Sequence, residues 1–160
     1  MASATTSPSS VVIDANVAIA LCAKEADKLA NAEAKMRDYA TKGCRFYAPG
    51  VFVGECLFVF CRKLKDGVLT LTEHDSALQA FISLMRAVNP PPFGDKSLIK
   101  RADETRGNLG CSRSADGIYL ALAEELGKDS ATEVLTFDHG MQAQAVASSI
   151  GPLVVVLPTV

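Results

Sequence analysis

The chain has 160 residues, close to the ~150 expected of one domain, and 49% of them are hydrophobic, enough for a sizeable core. Charged residues make up 21%, the 16 Lys and Arg nearly balance the 18 Asp and Glu, and the mean hydropathy is +0.20; this excludes a disordered chain and a strongly basic, histone-like binder. The longest apolar run, Val51 to Cys61, contains Glu55 and falls short of the ~20 residues that cross a bilayer, so no membrane span is expected.

The opening MASATTSPSS has no Lys or Arg and no apolar stretch before Val11, which does not fit a signal peptide. Residues 1–10 are read as a disordered tail, residues 11–160 as one domain, and the protein as cytoplasmic. Cys22, Cys44, Cys56, Cys61 and Cys111 include no CxxC pair, so they read as small buried hydrophobes rather than as a disulfide framework or zinc site.

Val11-Val12-Ile13 predicts a first strand that stops at Asp14 and is followed by one or two helices ending before Gly43. Phe46-Tyr47-Ala48 predicts a second buried strand closed by Pro49-Gly50, and Val51 to Lys65 a helix apolar on nearly every side. Thr72 and Asp75 resemble a capping box ahead of Leu78, Phe81, Ile82 and Met85 at helical spacing. Asn89-Pro90-Pro91-Pro92 breaks the chain. Ser97 to Arg106 reads as a short polar helix, and Ser114 as the cap of a helix from Ala115 to Leu126, with Gly127 past its end. Val134-Leu135-Thr136 and Leu153 to Leu157 read as strands flanking a helix that starts near His139. Strands that are continuously apolar and alternate with helices point to an α/β sandwich around a mostly parallel sheet.

Four acids stand alone in these core-forming segments: Asp14 after the first strand, Glu55 in the apolar helix, Asp116 early in a later helix, and Asp138 after a later strand. An unpaired buried carboxylate costs several kcal/mol. In a parallel α/β sheet the site lies beyond the carboxyl ends of the strands, where Asp14 and Asp138 stand and where the helices carrying Glu55 and Asp116 begin. Taken singly, the two strand-end acids are also compatible with strand termination, Asp116 with a helix dipole, and Glu55 with a distant salt bridge. Taken together, four oxygen donors suit Mg²⁺ or Mn²⁺ rather than Zn²⁺. Asn16 is placed to hydrogen-bond the Asp14 carboxylate or a metal-bound water, or to cap the next helix. D-A-N in place of D-x-D argues against a haloacid-dehalogenase phosphatase. A receiver-like domain would need paired acids at its first strand and a late Lys.

The segments V-V-I-D-A-N-V-A-I-A, G-E-C-L-F-V-F-C-R-K-L, S-A-D-G-I-Y-L-A-L-A-E-E-L-G and V-L-T-F-D-H-G-M, in that order, resemble a PIN domain of the VapC-type toxin ribonucleases, over about Val11 to Val160. The resemblance implies a PIN-like three-layer sandwich in which Asp14, Glu55, Asp116 and Asp138 bind the metal and Asn16 fills the small polar position two residues after the first acid. It implies RNA phosphodiester hydrolysis assisted by Mg²⁺ or Mn²⁺, a homodimer, and an antitoxin partner in a type II toxin–antitoxin pair. The alternatives it leaves are a catalytically silent PIN-like scaffold and an RNA-processing PIN nuclease that is not a toxin. His139-Gly140-Met141 departs from the usual apolar or aromatic ending after the fourth acid. With the four acids set aside, 14 acids face 16 bases, a surface that tolerates a nucleic-acid backbone. Arg113, Lys100 and Arg101 are the candidates for RNA phosphate contacts, the alternative being a solvated helix face.

Overall fold

The protein is described by a computed structural model covering residues 7–160. Most of the tail expected over residues 1–10 lies outside the described residues, and Ser10, its last residue, already pairs in the sheet.

Strand β1 (Ser10–Ile13) lies at the centre of the sheet. Its side chains are buried on both faces, as a β-branched run without polar alternation requires. Beside it run β2 (Arg45–Tyr47) and β4 (Thr132–Thr136), with β3 (Val88–Asn89) outside β2 and β5 (Leu153–Val156) outside β4. Among the described residues every pairing is parallel, in the order β3-β2-β1-β4-β5. The architecture is thus the expected α/β, PIN-like sandwich.

Val12 and Val134 face one core, shared with Phe52, Cys56 and Phe60 of α3 (Val51–Lys65), Phe81 of α4 (Leu71–Met85), Ala102 of α5 (Ile99–Arg106), Leu120 and Leu122 of α6 (Ser114–Gly127) and Met141 of α7 (His139–Ala147). Val11, Ile13 and Leu135 face the other, closed by Ala32 and Tyr39 of α2 (Leu29–Thr41). Helix α1 (Ala15–Cys22) contributes to both. The chain winds outward from β1 to β3 and then returns to β4 and β5. The switch point, where an α/β sheet opens a crevice, therefore lies between the carboxyl ends of β1 and β4.

Several expectations need correction. Helix α3 is not buried all round: Phe52, Cys56 and Phe60 form one buried stripe, while Val51, Val53, Leu57 and Phe58 are exposed. The capping box of α4 is Thr70 with Glu73, not Thr72 with Asp75; the longer Glu side chain reaches back to the cap N–H, as the motif requires. Ser114 is the first residue of α6 and not its cap, because the 3-10 turn Cys111–Arg113 runs straight into the helix. The two-residue β3 was not foreseen, being too short to carry periodicity. All five cysteines are free, but only Cys22, Cys44 and Cys56 are buried. No described helix is long and apolar enough to cross a membrane.

Candidate active site

Asp14 is the residue at which β1 gives way to α1. An Asp at a helix start ordinarily accepts a bond from the first turn, yet this side chain does not cap α1. Its Oδ2 instead accepts a 2.6 Å hydrogen bond from Thr136 Oγ1, at the carboxyl end of the neighbouring β4. Thr136 is completely buried and organises the crevice. Its hydroxyl also accepts from Asn16 Nδ2 at 3.1 Å and from the Asp138 N–H at 2.9 Å. Asn16 Oδ1 accepts from the Phe137 N–H at 3.1 Å. The side chain of Asn16 therefore ties α1 to the segment after β4, and its partners are Thr136 and Phe137 rather than the Asp14 carboxylate.

The other acids arrive from the surrounding helices. Glu55, in the first half of α3, accepts a 2.5 Å hydrogen bond from the hydroxyl of Tyr119, a fully buried residue of α6. Asp116 lies in the first turn of α6, one helical turn before Tyr119. Asp138 caps α7, its Oδ1 accepting from the Gly140 N–H at 2.7 Å. Arg113 joins the last two acids: its Nη1 lies 2.8 Å from Asp116 Oδ2 and 2.8 Å from Asp138 Oδ2.

The electrostatics make these acids one group. Burial pushes the Asp14 carboxyl up to about 7 against the opposing Thr136 hydrogen bond, and the charges of Asp116 and Glu55 raise it further. Glu55 is also raised, by burial first and then by Asp116, against the Tyr119 hydrogen bond. Asp116 is raised by burial and by Asp138 despite its bond to Arg113. Arg113 is held further in its charged form by Asp116 and then Asp138.

The structure therefore brings Asp14, Glu55, Asp116 and Asp138 to the switch-point crevice, with negative charge in excess. Among the described residues, no three His, Cys, Asp or Glu side chains close around a common point as metal ligands. Thr136, Tyr119 and Arg113 each hold part of the set by hydrogen bonds. The donors are all oxygens and lack positive charge, a chemistry that fits a hard divalent cation.

The three basic candidates are placed differently. Arg113 is inside the acid cluster. Arg101 is engaged within the fold, Nε and Nη2 forking the Glu124 carboxylate at 2.7 and 2.9 Å and Nη2 also reaching the Ser148 carbonyl at 3.0 Å. These bonds satisfy its fork within the fold. Lys100 is exposed on α5. Sequence reasoning missed Thr136 and Tyr119, which direct the acids. Their only signals were T-F-D at the end of a strand and a Tyr one helical turn after Asp116.

No family model matches the chain. Two proteins named Ribonuclease VapC3, from Mycobacterium tuberculosis strains CDC 1551 / Oshkosh and ATCC 25618 / H37Rv, are each 32% identical to it over 126 residues, covering 79% of this chain and 83% of theirs.

Proposed function

The chain belongs to the VapC-type ribonuclease family, and we propose that it is a Mg²⁺- or Mn²⁺-dependent ribonuclease acting as the toxin of a type II toxin–antitoxin pair. The observation that carries this reading is the meeting of four acids at the switch-point crevice, where burial and mutual repulsion leave them short of positive charge.

Asp14, Glu55, Asp116 and Asp138 would hold the metal. When bound, a divalent ion supplies polarisation of the phosphate and a water acidic enough to ionise near neutral pH. The chain's own contribution is to hold the donors in place. Thr136 directs Asp14, Tyr119 directs Glu55, and the α7 cap fixes one oxygen of Asp138 and leaves the other toward the crevice. Lys100 is exposed and offers positive charge to the RNA backbone. The exposed apolar residues Val51, Val53, Leu57 and Phe58 along α3 support a homodimer or an antitoxin contact, since exposed apolar patches mark interaction surfaces.

The test is cleavage of a panel of structured RNAs by the full chain with Mn²⁺, with Mg²⁺ and with a chelator. Activity that needs the ion and is lost in Asp14→Asn and Glu55→Gln supports the reading. Activity that survives the chelator overturns metal dependence. Expression of the chain alone should arrest growth, and co-expression of the small protein from an adjacent reading frame should relieve it. Harmless expression with intact cleavage leaves an RNA-processing nuclease. A silent scaffold is the second reading, favoured by one observation: Arg113 already fills the place between Asp116 and Asp138. It predicts no cleavage at any Mn²⁺ concentration.

A further inference from the structure

We propose that Arg113 is a built-in, displaceable counter-ion of the acid crevice and that Gly140 is the cradle that admits it. The inference rests on the metal-dependent reading above.

One nitrogen, Nη1, lies equally close to Asp116 and Asp138, which arrive from different parts of the chain. That is a cation position, occupied by a guanidinium. The other side of the guanidinium lies where a β-carbon at position 140 would be: a Cβ built on Gly140 would overlap Cζ and both terminal nitrogens of Arg113. Glycine in a helix costs roughly 0.5–1 kcal/mol relative to alanine, and Gly140 lies in the first turn of α7 without a positive φ to demand it. The space it vacates is the space the arginine uses. Within the ending His139-Gly140-Met141, the glycine thus has a steric reason in this chain.

Arg113 can leave without the loop moving. Its carbonyl accepts from Nε2 of the fully buried Gln144 at 3.2 Å, and its N–H donates to the Gly110 carbonyl at 3.2 Å. The backbone is therefore pinned at both ends of the residue, while the side chain is one-third exposed. A divalent ion taking Asp116 and Asp138 would expel the guanidinium by side-chain rotation alone. The pinned backbone would then keep the freed charge at the rim, where an RNA phosphate accepts bidentate pairing. Arg113 so raises the metal concentration that the protein requires, and it couples metal loading to the release of a phosphate contact.

The test is Mn²⁺ affinity of the full chain, measured by calorimetry and by the electron-spin signal of free Mn²⁺, for the unmodified protein, Arg113→Gln and Gly140→Ala. Both variants should bind Mn²⁺ at least about tenfold more tightly, since each removes a positive charge from contact with the ligands. In Gly140→Ala the half-maximal Mn²⁺ for RNA cleavage should fall by a similar factor, whereas Arg113→Gln should raise KM for RNA. Equal affinities in all three proteins, with metal-dependent cleavage intact, overturn the counter-ion role and leave the nuclease reading standing. Tighter binding in Arg113→Gln but not in Gly140→Ala overturns the cradle. No Mn²⁺ binding by any of the three, with cleavage that survives a chelator, overturns both this inference and the metal-dependent reading.

Discussion

Arg101 and Arg113 are both bonded to carboxylates at short range, yet they do opposite things. Arg101 meets Glu124 with two nitrogens on two oxygens, the fork geometry that suits a guanidinium best, and also satisfies the Ser148 carbonyl at the end of α7. It braces α5, α6 and α7, and its Nη1 also lies 3.4 Å from Glu104 Oε2 on its own helix. Arg113 shares one nitrogen between two carboxylates in a crevice where Asp14 and Glu55 add two further acids. An arginine with its fork closed on one carboxylate is a structural brace. An arginine with an open fork among surplus acids is a counter-ion awaiting a stronger one.

The comparison predicts that crevice variants lose activity without losing the fold, while brace variants do the reverse. The largest expected effect is on Asp14→Asn, which on the proposed function should lower metal-dependent cleavage by at least about 100-fold, since it would remove one charged donor from the ion. The same variant should melt higher than the parent in chelator at pH 8. The folded carboxyl titrates at about 7 against an ordinary 3.8, so the folded state keeps a proton that the unfolded chain has released. That contribution is present below about pH 4 and is lost as pH rises toward 7, and Glu55 and Asp116 shift in the same direction. Stability of the metal-free parent should therefore fall across this window more steeply than that of Asp14→Asn. Parallel pH profiles for the two proteins would show that Asp14 is not buried and charged in the way described.

Next in size are the two hydroxyls that direct the acids. Tyr119→Phe and Thr136→Val should each lower cleavage by about 10- to 100-fold with weakened Mn²⁺ binding, the usual consequence of removing a hydrogen bond behind a metal ligand. Thr136→Ser should recover most of the loss, because the hydroxyl and not the methyl makes the three contacts. If Thr136→Val binds Mn²⁺ as the parent does, the hydroxyl is holding the strand end alone.

Much of this was legible in the sequence, for reasons that are local. Val11 to Ile13 could only be a strand covered on both faces, and an acid after it in apolar company needed an explanation. That pattern singles out Asp14, Glu55, Asp116 and Asp138 as candidates, and the fold brings them near one another. The roles of the arginines were not legible, because they depend on what lies opposite. Nothing in I-K-R-A-D shows that Arg101 will face Glu124 from α6 while its neighbour Lys100 faces water. Thr136 falls in the expected strand Val134 to Thr136 and Tyr119 in the expected helix Ala115 to Leu126, with no role legible for either; their hydroxyls matter only because β1 and α3 bring carboxylates to them. Gly140 stood out as an oddity whose cause, the Arg113 guanidinium, lies 27 positions away in sequence and in contact in space.

On the brace side, Arg101→Gln should destabilise the fold by about 1–2 kcal/mol once the partial exposure of the pair is allowed for, a fall in Tm of roughly 2–8 °C. Cleavage per folded molecule and Mn²⁺ affinity should not change. A loss of RNA binding that exceeds the loss of folded protein would mean that the brace also reaches the substrate, and the contrast between the two arginines would weaken.

The smallest effect is the sharpest check on what separates a brace from a phosphate contact, because it sets adjacent residues against each other. Lys100 is exposed and takes part in no ion pair among the described residues, so Lys100→Ala should leave stability within about 0.5 kcal/mol of the parent. If it meets an RNA phosphate, affinity for an uncleaved RNA should fall about two- to threefold at moderate salt. The slope of log affinity against log salt should shrink by about 0.7, the value for one phosphate contact on a single strand. Arg101→Gln should leave that slope untouched, because a guanidinium already closed on Glu124 and Ser148 releases no counter-ion when RNA binds. A slope that changes in Arg101→Gln and not in Lys100→Ala would reverse the two assignments, placing the substrate on the forked arginine and leaving the lysine a solvated residue of the helix face.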